Sequence, residues 1–246
     1  MLPMILTAGN LLLGFTAIII LTLQVTLGWD SAMIGTSIWC IVLAGVLDAI
    51  DGPVARWGGR APSVWGGEFD ALADLISFGV APSVLLVVVS SPPARWITAL
   101  FGGIYVIAGA WRLARYLQEG ARPQYGRFEG MPITAAGLAL VALWLFENEL
   151  WQGLHHLPVA WILFLVCSVL MVSRLPFEKF PELGRSDRRT IVKWRLTAGI
   201  VALLGIKPTL VGLPVALLYL AHGPLAAIAG TAAVPSADPG HDITEE

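Results

Sequence analysis

The chain alternates long apolar segments with short polar connections. Six runs approach the length of about 20 residues that crosses a bilayer as a helix. They are Ile5–Gly28, Ala32–Asp48, Leu72–Val89, Trp96–Tyr116, Ile133–Phe146 and Pro158–Val172. Two shorter runs follow at Ile191–Leu204 and Thr209–His222, and the glycines and prolines between them also allow a re-entrant pair. The pattern predicts an all-α integral membrane protein with a six-helix transmembrane catalytic core and a C-terminal helix pair, eight spans in all.

The two ends of the chain differ from its middle. The N-terminal MLPMILTAGN has no basic region or small-residue cleavage site before the first apolar run, so we expect the first helix to remain in the mature protein. From Thr231 the apolar period gives way to Pro, Gly and acidic residues, which is typical of a disordered tail. We therefore divide the chain into a core at 1–180, a basic linker at 181–190, the helix pair at 191–222 and a polar tail at 223–246.

Composition supports a membrane location. Of the 246 residues, 57% are hydrophobic and only 13% are charged, whereas an ordinary soluble domain is about 25% charged. The net charge of −2 argues against nucleic-acid binding, which needs a basic excess. Cys40 and Cys167 each lie within an apolar run, so we expect no disulfide.

The basic residues are distributed unequally between the two sides. With a cytoplasmic N-terminus, only Arg95 and Lys207 fall on the outer side, and the other thirteen of the fifteen fall on the inner side. Lys and Arg resist translocation, so the split predicts that the basic loops of a cell-membrane protein face the cytoplasm. With eight spans, both termini are then also cytoplasmic. The basic run from Arg185 to Arg195 favours contact with anionic membrane lipids.

Acidic residues gather at the facing ends of the second and third predicted helices. Asp48 and Asp51 are three residues apart, while Gly66, Asp70 and Asp74 recur at intervals of four, so each set occupies one helical face. If the two helices pack antiparallel, four carboxylates surround one small volume and repel each other unless cations neutralise them. Oxygen ligands without Cys or His select Mg²⁺, Mn²⁺ or Ca²⁺.

Small residues accompany these acids. Gly52 and Ala55 follow the first pair and Gly66 precedes the second, leaving room for a phosphate-bearing group, with Arg56 as a counter-charge. Two plainer interpretations compete with this one. The acids could belong to a solvated loop, since Arg60 lies in the same connection, and Gly52 could serve only helix packing.

These motifs resemble the signature of the CDP-alcohol phosphotransferase family, D-x2-D-G-x2-A-R followed by G-x3-D-x3-D. The chain has DAIDGPVAR at Asp48–Arg56 and GGEFDALAD at Gly66–Asp74, so all eight signature positions are filled. The spacer between the two halves is one residue longer than usual.

Further segments resemble the phosphatidylserine synthase branch of that family, over roughly Leu2 to Phe180. They are DALADLISFGVAP at Asp70–Pro82, RLAR at Arg112–Arg115, FEGMP at Phe128–Pro132 with the following TAA, and LMVS at Leu170–Ser173. After RLAR the branch usually has Phe-Asn, where this chain has Tyr116 and Leu117.

The resemblance implies a metal-dependent transfer of a phosphatidyl group from CDP-diacylglycerol to serine, with release of CMP. Asp48, Asp51 and Asp70 are implied ligands of Mg²⁺ or Mn²⁺, and Asp74 is an implied ligand of a second ion. Whether Asp74 is also the general base stays open. The positions implied for CDP binding are Asp48, Asp51, Gly52, Ala55, Arg56 and Gly66. The family likeness also implies a homodimer.

Additional residues are candidates from their chemistry and place in the chain. Thr7 and Asn10, near the end of the first helix, are candidates for closing the nucleotide site, with helix capping as the alternative. Arg112 and Arg115 could bind the serine carboxylate, or could only anchor the cytoplasmic face. Glu129 is a candidate partner for the serine ammonium group.

Two other functions are considered. The same chemistry could use inositol phosphate or glycerol phosphate, although a phosphorylated acceptor would require an additional basic cluster beside Asp74. A divalent-cation transporter would also place acids inside a membrane. It would not explain why the four aspartates lie at one face beside glycines and an arginine.

Overall fold

Helices make up almost all of the structure, a computed structural model that describes residues 2–28, 31–57, 64–119, 127–153, 155–178 and 207–228. The predicted segment Ile191–Leu204, the basic linker and most of the tail lie outside the described residues. The helices are α1 (Leu2–Leu27), α2 (Ser31–Trp57), α3 (Val64–Asp74), α4 (Ala81–Val89), α5 (Arg95–Glu119), α6 (Ile133–Trp151), α7 (Leu157–Val172) and α8 (Pro208–Ile228).

Among the described residues, five helical segments are long and apolar enough to cross a membrane. These are Pro3–Leu27, Ala32–Gly52, Trp65–Val89, Pro92–Gln118 and Ile133–Trp151, and the shorter apolar helices are Leu157–Val172 and Thr209–Leu225. The helical fold class and the order of the predicted segments are therefore confirmed for this part of the chain.

Several helices extend beyond the predicted apolar runs, and two of these differences concern the acidic motif. The second apolar run was expected to end at Asp48, but α2 continues to Trp57. The third was expected to begin at Leu72, but α3 begins at Val64. Hydropathy falls at the charged residues although the helical hydrogen bonds continue, so the apolar pattern ended α2 too early and began α3 too late. The aspartates accordingly lie on helices and not in a loop.

The third span is not a uniform α-helix. Directly after Asp74 it widens into a π-helical segment, Leu75–Val80, before α4 begins. π-helical turns are uncommon and frequently occur at functional sites. Here the segment is held from two sides, because Ser77 Oγ donates to the Asn10 carbonyl at 2.9 Å and Tyr105 Oη donates to the Phe78 carbonyl at 2.8 Å.

Helix α1 is central to the packing, since it contacts α2, α3, the π-helical segment and α4. Helix α5 packs on α4 and α7, and α6 packs on α8 and on the π-helical segment. Gly137 permits this last approach, because a Cβ there would lie only 2.6 Å from the Phe78 carbonyl oxygen. The motif-bearing helices α2 and α3 are thus both fixed against α1.

A short two-stranded ribbon, which the sequence did not predict, lies where α7 ends and α6 begins. Strand β1 (Arg127–Glu129) pairs antiparallel with β2 (Pro176–Glu178), and Phe128 lies opposite Phe177. Beyond the ribbon, the Gly130 and Met131 amides donate to the Leu175 and Leu170 carbonyls at 2.9 and 3.1 Å. Strands of three residues are too short to show an alternating pattern, so they leave little sequence signal.

Candidate active site

Three of the four predicted aspartates converge on one point. Asp48 on α2 and Asp70 and Asp74 on α3 each contribute a carboxylate oxygen, and the three oxygens all lie within 4.8 Å of one another. The fourth, Asp51, interacts with Asp70 through its side chain and so borders the same group. We call these four side chains the acidic cluster.

Helix α1 contributes the two polar residues that the sequence singled out. Thr7 Oγ1 donates to Asp51 Oδ2 at 3.4 Å and, closer, to the Pro3 carbonyl at 3.1 Å. Asn10 has no exposed surface, and its Nδ2 donates to Asp74 Oδ1 at 3.2 Å. Asn10 therefore contacts the cluster directly, while Thr7 divides its hydroxyl between the cluster and its own helix.

A third contact was missed by sequence reasoning. Thr134, in the first turn of α6, donates from Oγ1 to Asp48 Oδ2 at 3.0 Å. The residue belongs to the TAA segment that follows FEGMP, so the branch resemblance pointed at the segment. A hydroxyl among apolar residues gives no sequence signal of the distant carboxylate that it contacts. Its role is therefore visible only in the folded structure.

The two arginines of RLAR are separated by the structure. Arg112 is only 8% exposed and lies close enough to Asp48 and Asp74 for electrostatic interaction with both. Arg115 instead donates from Nη1 to the Val172 carbonyl at 2.9 Å and from Nη2 to the Ser173 carbonyl at 3.3 Å. Arg112 thus interacts with the acidic cluster, and Arg115 holds the end of α7.

The other predicted positions border the cluster or cannot be placed. Gly52 follows Asp51 on α2, and Gly66 lies one turn before Asp70 on α3; both are partly buried. Glu129 belongs to β1. Three predicted side chains lie outside the described residues, namely those of Ala55, Arg56 and Glu129.

The donor set fits a hard divalent cation. Two buried oxygens of the described site, Asp70 Oδ1 and Asn10 Oδ1, have no hydrogen-bond partner, and an unpartnered buried polar atom costs about 1–3 kcal/mol. Carboxylates this close also repel each other. A cation held by the oxygens of Asp48, Asp70 and Asp74 would remove the repulsion, and such ligands suit Mg²⁺, Mn²⁺ or Ca²⁺.

Comparison with known proteins matches residues 1–173 to the model of the CDP-alcohol phosphatidyltransferase family. A CDP-diacylglycerol–serine O-phosphatidyltransferase of Mycobacterium leprae is 34% identical over 196 residues, which cover 76% of this chain and 63% of that relative. The Helicobacter pylori protein of the same name is 32% identical over 206 residues, 82% of this chain and 78% of its own length. An archaetidylserine synthase of Methanothermobacter thermautotrophicus is 32% identical over 149 residues, 59% of each chain. The chain thus spans less than two thirds of the Mycobacterium leprae protein.

Proposed function

The chain belongs to the CDP-alcohol phosphatidyltransferase family, and we propose that it transfers the phosphatidyl group of CDP-diacylglycerol to the hydroxyl of serine. The observation that supports this most directly is the convergence of Asp48, Asp70 and Asp74 within 4.8 Å on the helices that bear the family motif. The names of the relatives favour serine as the acceptor.

In the proposed reaction the serine hydroxyl oxygen forms a bond to the phosphorus that bears the diacylglycerol. The bond from that phosphorus to the bridging pyrophosphate oxygen breaks, and CMP leaves with this oxygen. The hydroxyl proton passes to a carboxylate oxygen of Asp74, which the amide of Asn10 orients. Mg²⁺ or Mn²⁺ held by Asp48, Asp70 and Asp74, with Asp51 beside them, would neutralise the charge of the pyrophosphate.

Neighbouring side chains keep these carboxylates in position. Thr134 donates to Asp48 and Thr7 donates to Asp51, so each aspartate of α2 is held by a hydroxyl from a different helix. For the nucleotide we propose Asp48, Asp51, Gly52, Ala55, Arg56 and Gly66, with Thr7 and Asn10 closing the site.

For the acceptor, we assign the serine carboxylate to Arg112. Its Nε is buried and has no hydrogen-bond partner among the described residues, and the guanidinium is close enough to the proposed base Asp74 for electrostatic interaction. Arg115 already donates to two carbonyls at the end of α7. We therefore propose that it supports the acceptor site by holding this end of α7 in place. Glu129, at the end of β1, remains the proposed partner of the ammonium group.

The proposed topology has eight spans and a catalytic core at 1–180. The linker at 181–190, the helix pair at 191–222 and the polar tail at 223–246 follow it. Both termini and the acidic cluster then face the cytoplasm, where soluble serine is present. Arg112 and Arg115 lie at the same end of the helices as the cluster, while Arg95 begins α5 about 26 Å away at helical rise. This arrangement favours the positive-inside orientation. We also propose that the protein lies in the cell membrane as a homodimer.

The purified protein, given CDP-diacylglycerol, Mn²⁺ or Mg²⁺ and a panel of alcohols, tests the function. We expect CMP release with serine, and none with inositol phosphate or glycerol phosphate. CMP release with one of these phosphates alone would show that this phosphate, and not serine, is the acceptor. Absence of CMP with every alcohol, from protein that still unfolds cooperatively, would overturn the transferase proposal and leave cation transport as the next function to measure.

A further inference from the structure

Two polar residues of the third span, Asp74 and Ser77, bond to the same residue of α1. Asp74 Oδ1 accepts a hydrogen bond from Asn10 Nδ2 at 3.2 Å, and Ser77 Oγ donates to the Asn10 carbonyl at 2.9 Å. Asp74 is the last residue of α3, and Ser77 belongs to the π-helical segment that follows it. Asn10 is thus held at its side chain and at its backbone by positions three residues apart.

Gly14 allows Ser77 to approach α1 this closely. It lies one helical turn after Asn10, and a Cβ there would lie only 2.7 Å from the Ser77 Cα and would also overlap the Ser77 hydroxyl. Ser77 itself has no exposed surface. Its hydroxyl is therefore buried against α1, where water cannot take over the bond to the Asn10 carbonyl.

The π-helical segment is also fixed on its other side. Phe78 directly follows Ser77, and its carbonyl accepts a hydrogen bond from Tyr105 Oη of α5 at 2.8 Å. The backbone of Gly137 on α6 lies against the same carbonyl oxygen, which a Cβ there would approach to 2.6 Å. Because α5 and α6 hold the segment from this side, Ser77 offers α1 a fixed point of attachment.

The contact from Asn10 to Asp74 depends on where the α1 backbone lies. Among the described residues, the Asn10 side chain donates only to Asp74, and its buried Oδ1 has no hydrogen-bond partner. A length of 3.2 Å is at the long end of the range for such a bond. A small shift of α1 away from the third span would therefore weaken it, and the bond from Ser77 opposes that shift.

We propose that Ser77 is a positioning residue for Asp74 and acts through Asn10. By holding the Asn10 carbonyl, Ser77 keeps the Asn10 amide within reach of the Asp74 carboxylate. The inference rests on the proposed function, in which Asp74 accepts the proton of serine and helps to hold the cation. Because Ser77 has no exposed surface, its loss should change the rate and not the affinity for serine.

Ser77→Ala tests the proposal through CMP release. We expect kcat to fall roughly fivefold, the size of one hydrogen bond between neutral groups, with the KM values for serine and CDP-diacylglycerol within about twofold. In Asn10→Ala, which already lacks the amide, Ser77→Ala should lower kcat no further. Effects that multiply in the double variant, or an unchanged kcat in Ser77→Ala, overturn the proposal.

The matched control is Ser168→Ala. Ser168 is also buried, but its hydroxyl bonds within α7, to the Phe164 carbonyl at 2.7 Å. Its removal takes away a similar hydrogen bond without touching α1 or the third span, so kcat should stay within about twofold. A fall in kcat equal to that of Ser77→Ala would mean that any buried hydroxyl has this effect, and would overturn the proposal.

A measurement without substrate separates this inference from the proposed function. The Kd for Mn²⁺, obtained from the shift in the unfolding midpoint of chelator-treated protein, should rise roughly fivefold in Ser77→Ala and stay unchanged in Ser168→Ala, because a less well oriented Asp74 binds the cation less tightly. A wild-type Kd in Ser77→Ala overturns the inference whichever alcohol is the acceptor. A wild type that binds Mn²⁺ but releases no CMP overturns the proposed function instead, and the Kd still decides whether Ser77 positions Asp74.

Discussion

Carboxylates that are partly or fully buried occur at both ends of the helix bundle, and the two ends pair them in opposite ways. At one end, the acidic cluster brings Asp48, Asp70 and Asp74 together and leaves a buried Asp70 oxygen without a partner. At the other end Glu147 is only 3% exposed, and both of its oxygens are occupied. Its Oε2 accepts from the His155 and His156 amides at 2.8 and 3.0 Å, and its Oε1 lies 3.3 Å from His156 Nδ1.

Helix α6 connects the two ends, since Thr134 contacts the cluster and Glu147 lies thirteen residues later, about 20 Å along the helix. Glu147 satisfies amides where α7 begins, which would otherwise lack partners. The acidic cluster instead concentrates negative charge with fewer partners than its oxygens can accept. Burial of a carboxylate therefore does not by itself mark function, whereas incomplete pairing within a cluster of like charges does.

Asp70→Asn should have the largest effect at the acidic cluster. Loss of a carboxylate that holds the cation should lower the rate of CMP release roughly 1,000-fold or more, because the charge of one metal ion contributes several kcal/mol to the transition state. The folded protein should survive the change, since the amide removes a repelling charge. The measurement pairs CMP release with thermal unfolding of the same sample. Activity within tenfold of wild type would contradict the ligand role of Asp70.

Cation binding distinguishes the acidic cluster from Glu147 without any substrate. Mn²⁺ added to chelator-treated protein should stabilise it, by about 2.7 kcal/mol when the ion reaches 100 times its Kd. The shift in the unfolding midpoint should disappear in Asp70→Asn and persist in Glu147→Gln, which alters a carboxylate at the opposite end. An equal shift in all three proteins would place the bound ion elsewhere.

Glu147→Ala tests whether the carboxylate at the opposite end of the bundle has a structural role only. The change leaves the amides of His155 and His156 without their acceptor, so we expect a loss of about 2 kcal/mol in the free energy of unfolding. Activity per folded molecule should stay within about twofold, because the acidic cluster is untouched. Denaturant titration in detergent and CMP release measure the two effects. A large loss of activity with unchanged stability would give Glu147 a functional role instead.

The sequence predicted the parts of this site that depend on local spacing. Asp70 and Asp74 are one helical turn apart, so their shared face follows from helical geometry alone. Contacts between distant segments were less accessible. Thr134 meets Asp48 across 86 positions of the chain, and no local pattern selects that hydroxyl over any other.

Glu147 shows the same limit at the opposite end. It was not singled out by the sequence, because its partners are backbone amides, and every segment of chain offers these. The two-stranded ribbon depends on a pairing between residues 127–129 and 176–178. Strands this short leave no alternating pattern from which the pairing could be predicted. Tertiary contacts therefore decide which polar residues complete the cluster. Spacing along one helix does not predict such contacts.

Thr134→Val makes the smallest change at the acidic cluster, since it replaces one hydroxyl by a methyl group of similar size. Removal of its hydrogen bond to Asp48 should cost about 1 kcal/mol, or roughly fivefold in kcat, with little change in the KM for serine. The matched control is Thr22→Val, whose exposed hydroxyl bonds only within its own helix at the Ile19 carbonyl. Steady-state kinetics should separate the two variants. Equal kcat values would show that Asp48 holds its position without Thr134, and would confine the positioning contacts of the cluster to α1.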